Sequence, residues 1–419
     1  MKTKFKQTEI GMIPEDWEIK SIDTVAEVVG GGTPSTKNSQ YWDGDISWIT
    51  PKDLSNFKFR HIDKGDRNIT KKGLENSSAK LVPQNTVLLT TRAPVGYLAI
   101  SKKEVSTNQG FRSLIPRDGI KTEFLFYLLK NNVEILKSNS SGTTFGELSG
   151  GRLKALQFAF PDVFEQSAIA KILSDIDSKI ELNQNMNKTL EEIGQAIFKH
   201  WFVDFEFPNE QGKPYMSSGG EMIDSEIGEI PKGLEVGKLG SFIEFVKGKK
   251  PLEISHAPID GYLPQILIEN LDGKKPIYAK PNKMTIVHEA EPIMVMDGAS
   301  SGRIEVGYNG ILGSTLAKIT ISSDPLSNSY VFNYLKTRQE EINQNTTGTS
   351  IPHTDKDRIK RFLIVLPHRE LLVSFDKLFF KLLYSILNSK KEIELLSQIR
   401  DSLLPKLMSG EIRVPVETN

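Results

Sequence analysis

Glu9-Ile10-Gly11-Met12-Ile13-Pro14 recurs as Glu226-Ile227-Gly228-Glu229-Ile230-Pro231 at an offset of 217. Further along the chain, Arg152-Leu153-Lys154 recurs as Arg358-Ile359-Lys360 at an offset of 206. The second copy is therefore shorter than the first, because the offset falls from 217 to 206 between these two motifs. A period near 206 is much longer than the roughly 20–50 residues of a solenoid repeat. The sequence thus predicts two related domains, each with its own following segment.

The size and composition of the chain restrict its class. Its 419 residues and 46.9 kDa allow roughly two to four domains. With 38% hydrophobic residues and a mean hydropathy of −0.31, it has the composition of a folded, soluble protein. The absence of cysteine excludes disulfides, thiolate metal sites and cysteine nucleophiles. Residues 1–7 lack the apolar core of a signal peptide, and no apolar run approaches the ~20 residues of a membrane span. We therefore expect a cytoplasmic protein with no membrane partner.

Each repeat divides into a globular half and a helical half. The globular halves are rich in Gly, Ser, Thr, Asn and Pro and contain β-type runs such as Thr86–Thr90 and Phe362–Leu366. A helix is predicted over Glu123–Lys137, with an apolar face formed by Phe124, Leu128, Leu129 and Ile135. The predicted fold class is α+β, with two mixed α/β domains, two long helices and an internal pseudo-twofold repeat. The expected division is 1–160 for the first domain, 161–206 for the first long helix, 207–366 for a linker and the second domain, and 367–419 for the second long helix and C-terminal tail.

The two helical halves share one heptad frame counted from Ile169. About 40 helical residues would form a rod of about 60 Å, which is longer than a typical globular helix and favours an antiparallel coiled coil between the copies over a helix lying on a core. Asn183 or Asn187 would then help to fix the register. The predicted seam residues are Ile169, Leu173, Ile176, Ile180, Leu190 and Ile197 in the first helix and Phe375, Phe379, Leu382, Ile386, Ile393 and Leu396 in the second.

Charge is segregated, although Lys+Arg and Asp+Glu both total 53. Residues 1–160 carry a balance of +6, whereas residues 161–230 carry −9. A polyanion would therefore bind the globular domains rather than the first helix, since contacts with phosphate depend on Lys and Arg. An ordinary solvated surface explains a balance of +6 equally well, so charge alone leaves both interpretations open.

Recognisable catalytic motifs are missing from the sequence. It contains no Gly-x-x-x-x-Gly-Lys-Ser/Thr phosphate loop and no Asn/Asp-Pro-Pro-Phe/Tyr motif of the kind an amino-methyltransferase uses to hold its target base. None of the six histidines pairs with another at His-x-x-x-His spacing. We therefore predict no catalytic residue and no metal ligand in this chain.

Several motifs occur in a fixed order along the first copy: Ile13-Pro14-Glu15-Asp16-Trp17, Gly31-Gly32-Thr33-Pro34-Ser35, Asn108-Gln109-Gly110-Phe111, and Gly142-Thr143 before Arg152-Leu153. Together with the domain–helix–domain–helix order, this arrangement resembles that of a specificity subunit of a type I restriction–modification system. The resemblance covers nearly the whole chain. The second copy departs from this pattern, because Gly248-Lys249-Lys250-Pro251 replaces Gly-Gly-Thr-Pro and Gly313-Ser314-Thr315 replaces Asn-Gln-Gly.

The resemblance implies a non-catalytic subunit that binds double-stranded DNA in a sequence-specific way. Each target-recognition domain would read one half of a bipartite, asymmetric target, and the helices would set the spacer and dock the methyltransferase subunits, expected to number two. Restriction (motor) subunits would complete the complex. The partners would use S-adenosylmethionine, ATP and Mg, and this chain would hold no cofactor. Differences between residues 55–86 and 272–292 would let the two domains read different half-sites.

Side-chain chemistry selects candidate DNA contacts, because Arg and Lys suit guanine edges and phosphates, while Asn and Gln suit adenine. In the first domain the candidates are Thr33, Ser35, Lys37, Lys52, Arg60, Arg67, Lys71, Lys72, Arg92, Asn108 and Gln109. In the second domain they are Lys247, Lys249, Lys250, Asn270, Lys274, Lys275, Lys283, Arg303 and Ser314.

Two other functions compete with that of a DNA reader. One is an enzyme with an unrecognised site, which the missing motifs oppose. The other is a coiled-coil scaffold that joins two protein- or glycan-binding domains. DNA binding in the presence of methyltransferase partners would distinguish the reader from the scaffold.

Overall fold

The computed structural model describes residues 4–92, 94–141, 146–347 and 352–415. The Gly142-Thr143 and Gly348-Thr349 pairs lie outside the described residues. By packing, the chain forms two compact units: unit 1 contains 1–184 and 391–419, and unit 2 contains 185–390. The predicted 1–160, 161–206, 207–366 and 367–419 division follows element type instead, and its boundaries stay a prediction.

Two helices contain 40 residues each, α7 (Val163–Phe202) and α12 (Arg369–Met408). Helix α7 begins in unit 1 and ends in unit 2, whereas α12 begins in unit 2 and ends in unit 1. The strands of unit 1 are β1 (Phe5–Thr8), β2 (Gly11–Pro14), β3 (Glu18–Ser21), β4 (Ala26–Gly30), β5 (Trp42–Ile49), β6 (His61–Ile62), β7 (Arg67–Ile69), β8 (Leu81–Val82), β9 (Val87–Thr91), β10 (Val95–Ser101), β11 (Val105–Thr107), β12 (Phe111–Pro116) and β13 (Gln157–Phe160). Its shorter helices are α1 (Ile22–Val25), α2 (Pro51–Ser55), α3 (Lys71–Glu75), α4 (Thr122–Asn131), α5 (Val133–Ser138) and α6 (Gly150–Ala155), with a 3-10 turn at Ser39–Tyr41.

Unit 2 follows a similar order of elements, but its described residues contain no helix that corresponds to α3. Its strands are β14 (Met222–Ser225), β15 (Gly228–Pro231), β16 (Glu235–Lys238), β17 (Ile243–Lys247), β18 (Ile254–Ser255), β19 (Leu263–Ile266), β20 (Ile277–Ala279), β21 (Ile286–Val287), β22 (Ile293–Val295), β23 (Ile304–Glu305), β24 (Gly310–Leu312), β25 (Leu316–Ile321) and β26 (Leu363–Leu366). Its shorter helices are α8 (Ile268–Leu271), α9 (Asn328–Thr337), α10 (Gln339–Gln344) and α11 (Lys356–Lys360), with a 3-10 turn at Leu239–Ser241.

Each unit contains two main sheets. In unit 1 their strand orders are β4-β12-β9-β10-β6 and β7-β5-β11-β8, and in unit 2 they are β17-β25-β22-β23 and β18-β20-β19-β24-β21. The second sheet of each unit contains one parallel pair, β5 with β11 in unit 1 and β19 with β24 in unit 2. The mixed α/β class is therefore confirmed for both domains.

The offsets found in the sequence also relate the structural elements. Both ends of strand β17 correspond to those of β4 at the offset of 217, and both ends of helices α9 and α12 correspond to those of α4 and α7 at the offset of 206. The β-type runs at 86–90 and 362–366 coincide with β9 and β26, with bounds that differ by a single position. The prediction of one domain-sized unit written twice is confirmed at the level of secondary structure.

The prediction of a single helix over Glu123–Lys137 is wrong in one respect, because this segment forms two helices, α4 and α5, that meet at Asn132. The Asn132 N–H donates to the carbonyls of Leu128 and Leu129, and its φ of −107° and ψ of 23° end α4. The chain restarts with a different face inward, so Leu136 is buried and Ile135, expected on the apolar face, is 44% exposed. A local change in backbone direction thus shifted the apolar periodicity.

The core of unit 1 includes parts of both long helices. Ile169 and Leu173, near the start of α7, are fully buried with Phe124 of α4. Leu404 and Leu407, near the end of α12, belong to the same apolar cluster. Burying such side chains stabilises a fold by about 1.5–3 kcal/mol each. The core of the first domain is therefore completed by side chains from the C-terminal helix, because Leu407 lies in the same cluster as Ile169.

The core of unit 2 contains the opposite ends of the two long helices, namely the end of α7 and the start of α12. Phe375, near the start of α12, packs with Phe198 and Phe202 near the end of α7, with ring centroids 5.8 and 5.1 Å away. Tyr330 of α9 contacts the same two rings of α7. All twelve predicted seam residues are buried or half-buried in the chain.

Within unit 1 the two helices run antiparallel and are joined by polar contacts. Arg400 donates to Asp177 at 2.8 Å, and the Asn183 amide donates to Glu392 at 2.8 Å. Asp177 also accepts the Tyr127 hydroxyl at 2.7 Å. Burial works against the ionised form of Asp177, but Lys130, Arg400 and Tyr127 outweigh it and lower the pKa of its carboxyl.

The segment after α12 is held to the beginning of the chain. The guanidinium of Arg413 donates to Asp16 at 2.6 and 3.0 Å and to the buried carboxylate of Glu165 at 2.7 and 2.9 Å. Trp17 donates its indole N–H to Glu165 at 3.0 Å. These charge-assisted bonds fix the C-terminal segment on unit 1.

None of the helices in the described ranges combines the length and the apolar character that crossing a bilayer requires.

We predict that Arg400→Met destabilises unit 1 by about 3 kcal/mol at pH 7, because Asp177 keeps its charge in a buried site but loses its closest cationic partner. Urea unfolding would measure the difference. Since the folded-state pKa of Asp177 is lowered from 3.8, the stabilisation is present above that value and disappears as the pH falls through the lower folded value. The difference between wild type and R400M should therefore shrink in acid.

Lys171→Met is the matched control, because Lys171 pairs with Asp175 on the exposed face of α7 at 2.7 Å. An exposed pair of this kind contributes roughly 0.3–0.5 kcal/mol. Equal losses in the two variants would contradict a special role for the buried pair.

Candidate nucleic-acid interface

Two parallel strands place several polar loops side by side in unit 1. Ile49 of β5 lies opposite Thr107 of β11, so the chain leaves both strands at the same edge of the sheet. After β5 the Asp53 carboxylate accepts the N–H of Thr50 at 2.7 Å, which fixes the turn into α2. We call residues 31–37, 50–53, 92 and 108–110 the first loop edge.

The Gly31-Gly32 pair lies directly on the end of β11. A Cβ at Gly31 would stand 1.9 Å from the carbonyl oxygen of Asn108, and one at Gly32 would stand 2.2 Å from the N atom of Ala79. The N–H of Gly32 donates to the Thr107 carbonyl at 2.9 Å. The absence of side chains thus allows this close approach, which brings the Thr33 hydroxyl against the amide oxygen of Gln109.

Unit 2 has the same backbone framework with other side chains. Ile266 of β19 lies opposite Leu312 of β24, and the N–H of Lys249 donates to the Leu312 carbonyl at 3.1 Å, as Gly32 does to Thr107. A Cβ at Gly248 would stand 2.2 Å from the Gly313 carbonyl oxygen. We call residues 247–252, 267–268, 297 and 313–315 the second loop edge. The second copy therefore keeps the backbone geometry of the first loop edge, although the side chains of the Gly-Gly-Thr-Pro and Asn-Gln-Gly motifs are replaced.

The structure gathers many of the predicted contacts at these edges. The first loop edge contains Thr33, Ser35, Lys37, Lys52, Arg92, Asn108 and Gln109, and the second contains Lys247, Lys249, Lys250 and Ser314. Arg67 adjoins the first edge, because its guanidinium lies 3.6 Å from the centroid of Trp42, whose indole N–H donates to the Ser35 carbonyl. The side chains of Lys71, Lys72, Lys274, Lys275 and Lys283 are exposed on neighbouring segments.

Structural partners inside the fold engage the side chains of Arg60, Arg303 and Asn270, which are among the predicted DNA contacts. Arg60 is only 8% exposed, and its guanidinium donates to Ser178 and Tyr127. Arg303 is held by Asp272, Glu305 and the Leu271 carbonyl. Asn270 accepts the Leu267 N–H at 2.7 Å and donates to Lys274, so it caps its own helix. Residue type alone does not reveal such burial or capping, and the selection of these residues as DNA contacts stays a prediction.

Sequence reasoning missed an ion cluster at the second loop edge. The Asp297 carboxylate lies 3.0 Å from the Lys247 ammonium and 2.7 Å from Nδ1 of His353. Burial works against the ionised form of Asp297, but the bonds to His353 and Lys247 outweigh it and lower the pKa of this carboxyl. No motif marks these residues, because they come from three separate parts of the chain.

No group of three or more His, Asp or Glu side chains within the described ranges is arranged to hold a metal ion.

The family and its relatives agree with this architecture. The family model described as "Type I restriction modification DNA specificity domain" matches residues 14–192 and 231–399, which are the two repeats. The chain belongs to this family of type I specificity subunits, so the resemblance seen in the sequence and the non-catalytic class it implied are confirmed.

Individual relatives extend over the whole chain. The type I restriction enzyme MjaIX specificity subunit of Methanocaldococcus jannaschii is 38% identical, with 99% of this chain and 97% of the relative covered. The HindI specificity subunit of Haemophilus influenzae is 24% identical over 88% of this chain and 94% of the relative. The crystal structure of the type I S subunit from M. genitalium shares the fold, with a TM-score of 0.59, 19% identity and coverage of 97% and 99%.

We predict that Gly31→Ala destabilises unit 1 by about 1–3 kcal/mol, because the new Cβ would overlap the Asn108 carbonyl and push the loop off β11. Urea unfolding and hydrogen exchange at residues 107–110 would measure the change. Gly151→Ala is the control, since its Cβ would meet nothing within 4 Å and alanine suits helix α6. Unchanged protection at 107–110 in G31A would contradict the close approach.

Proposed function

We propose that this specificity subunit reads a bipartite, asymmetric target in double-stranded DNA, with one loop edge contacting each half. The observation that carries the proposal is that the two edges share a backbone framework but differ in side chains. Thr33 and Gln109 occupy the positions that Lys250 and Ser314 occupy in the second copy. A shared framework would present both edges to the duplex in the same way, while different side chains would select different bases.

The charges at the loop edges are compatible with DNA. Lys37, Lys52 and Arg92 are exposed at the first edge, as are Lys249 and Lys250 at the second. Ammonium and guanidinium groups of this kind bind phosphates and release counterions, which provides affinity that does not depend on sequence. Asn108 and Gln109 could add hydrogen bonds to adenine. The proposed surface thus combines positioning contacts with base contacts.

The long helices would act as the spacer, in a single antiparallel coiled coil about a pseudo-twofold axis. Support comes from each unit by itself. In unit 1 Asp177 pairs with Arg400, and in unit 2 a Cβ at Gly194 would stand 3.7 Å from Leu382. In both units, residues further along α7 lie next to residues that come earlier in α12, so the two helices are antiparallel there. A helix of 40 residues is about 60 Å long, enough to span half-sites roughly 34–36 Å apart.

The helices would also dock the partner subunits. Leu182, Leu395 and Ile399 in unit 1 and Met186, Ile193 and Tyr384 in unit 2 are exposed apolar side chains on α7 and α12. Apolar surface of this kind is suited to another protein rather than to water. We assign it to two methyltransferase subunits, with restriction subunits completing the complex. S-adenosylmethionine, ATP and Mg would be used by those partners, and this chain would hold no cofactor.

Mapping methylated sites in DNA treated with this chain and its methyltransferase partner tests the proposal directly. We expect a split, asymmetric motif. Replacing residues 1–160 with the first domain of another family member should change one half of the motif and leave the other intact. A change in both halves would contradict independent reading by the two edges, and a failure to bind DNA would favour the scaffold.

The spacer function makes a separate prediction. Inserting four residues after Asn185 in α7, with four inserted after Lys390 in α12 to keep the pairing, should lengthen the rod by ~6 Å. The gap between half-sites in the methylated motif should then grow by about two base pairs. The same insertion after Gly212, in the exposed linker, is the control and should leave the gap unchanged. A constant gap in the helix variant would exclude the helices as the spacer.

A further inference from the structure

The position that matches Ser35 in the second copy is Leu252, and its side chain is 99% exposed. The loop that carries it is held before Leu252 by backbone hydrogen bonds and after it by strand β18, which pairs with β20. Gly248 N–H donates to the Leu316 carbonyl at 2.9 Å, Lys249 N–H donates to the Leu312 carbonyl at 3.1 Å, and Pro251 is buried. Leu252 therefore projects from a fixed backbone and packs against nothing in its own chain.

Two lysines precede Leu252 in the loop, and Glu253, which follows it, is paired with Lys280 at 3.5 Å. Lys249 and Lys250 precede it closely, and both are exposed at the second loop edge. If these ammonium groups lie on phosphates, the tip of the loop reaches between the backbones toward the base edges. The apolar feature that a base edge offers in the major groove is the C5-methyl group of thymine.

We propose that Leu252 contacts a thymine methyl group in the half-site read by unit 2 and so contributes to base selection there. This inference depends on the proposed function, since it needs the second loop edge to lie on DNA. The first copy has a hydroxyl at this position, in Ser35, so the same contact is absent from the other half-site. One substitution between the repeats would thus give the two edges different preferences.

The test uses the chain with its methyltransferase partner and a duplex that carries the mapped motif. Each thymine of the unit 2 half-site is replaced in turn by deoxyuridine, which removes only the methyl group. We expect the wild-type complex to bind about fourfold more weakly when one particular thymine is replaced, since burying a single methyl group changes an affinity by about this factor. Leu252→Ser should bind the unmodified duplex more weakly by a similar factor and should lose nothing further with uracil.

Salt dependence and a second exposed residue provide the controls. Lys249→Gln should reduce the slope of log affinity against log salt by about 1, whereas Leu252→Ser should leave the slope unchanged. Ile223→Ser removes an exposed apolar residue of β14, outside both loop edges, and should respond to uracil as wild type does. Thermal unfolding should show all three variants folded, because their side chains are exposed.

The possible failures can be told apart. If wild type fails to bind the duplex, the proposed function itself is wrong. If wild type binds but no uracil substitution weakens it, or if L252S remains as sensitive to uracil as wild type, the methyl contact is wrong while DNA reading stands. A mapped half-site without thymine would also overturn the contact.

Discussion

The structure depends on an exchange of helix ends between the two repeats. Leu404 and Leu407 of α12 complete the core that contains Ile169, and Phe198 of α7 completes the core that contains Phe375. Neither repeat closes its core with its own helix alone, because each compact unit takes the start of its own helix and the end of the other. The apolar cores fix the helices. In unit 1, β9 contributes Val87 and Leu89 to that core and Leu88 to a second apolar cluster, which contains the strands β5 and β11 that carry the first loop edge.

At the two loop edges, the repeats differ in side chains rather than in the backbone. The bond from Gly32 to Thr107 has its counterpart from Lys249 to Leu312, although the residues differ. Such bonds need only the peptide groups, so they persist while the side chains around them change. A glycine is retained at 31 and 248, where a Cβ would collide with a carbonyl oxygen. The fold can therefore vary what it contacts without moving where the contacts lie.

The acidity of the segment 161–230 has a structural cause in part. Asp177 pairs with Arg400, Glu165 pairs with Arg413, and Glu181 accepts the backbone N–H of Arg60 at 2.7 Å. These carboxylates hold elements together inside unit 1, whereas the lysines of the loop edges face water. The contrast in charge thus reflects two different uses of ions, one in packing and one on an open surface.

The sequence by itself determined the duplication, the mixed α/β class, the two long helices and the family, because repeats, periodicity and motif order are properties of the chain. It also predicted buried seam positions, since a heptad pattern follows from helix geometry. Only the tertiary structure decided that Arg60, Arg303 and Asn270 serve the fold, that the helix at 123–137 breaks at Asn132, and that Asp297 meets Lys247 and His353. Those outcomes depend on which distant groups meet, and long-range packing leaves no local pattern in the sequence.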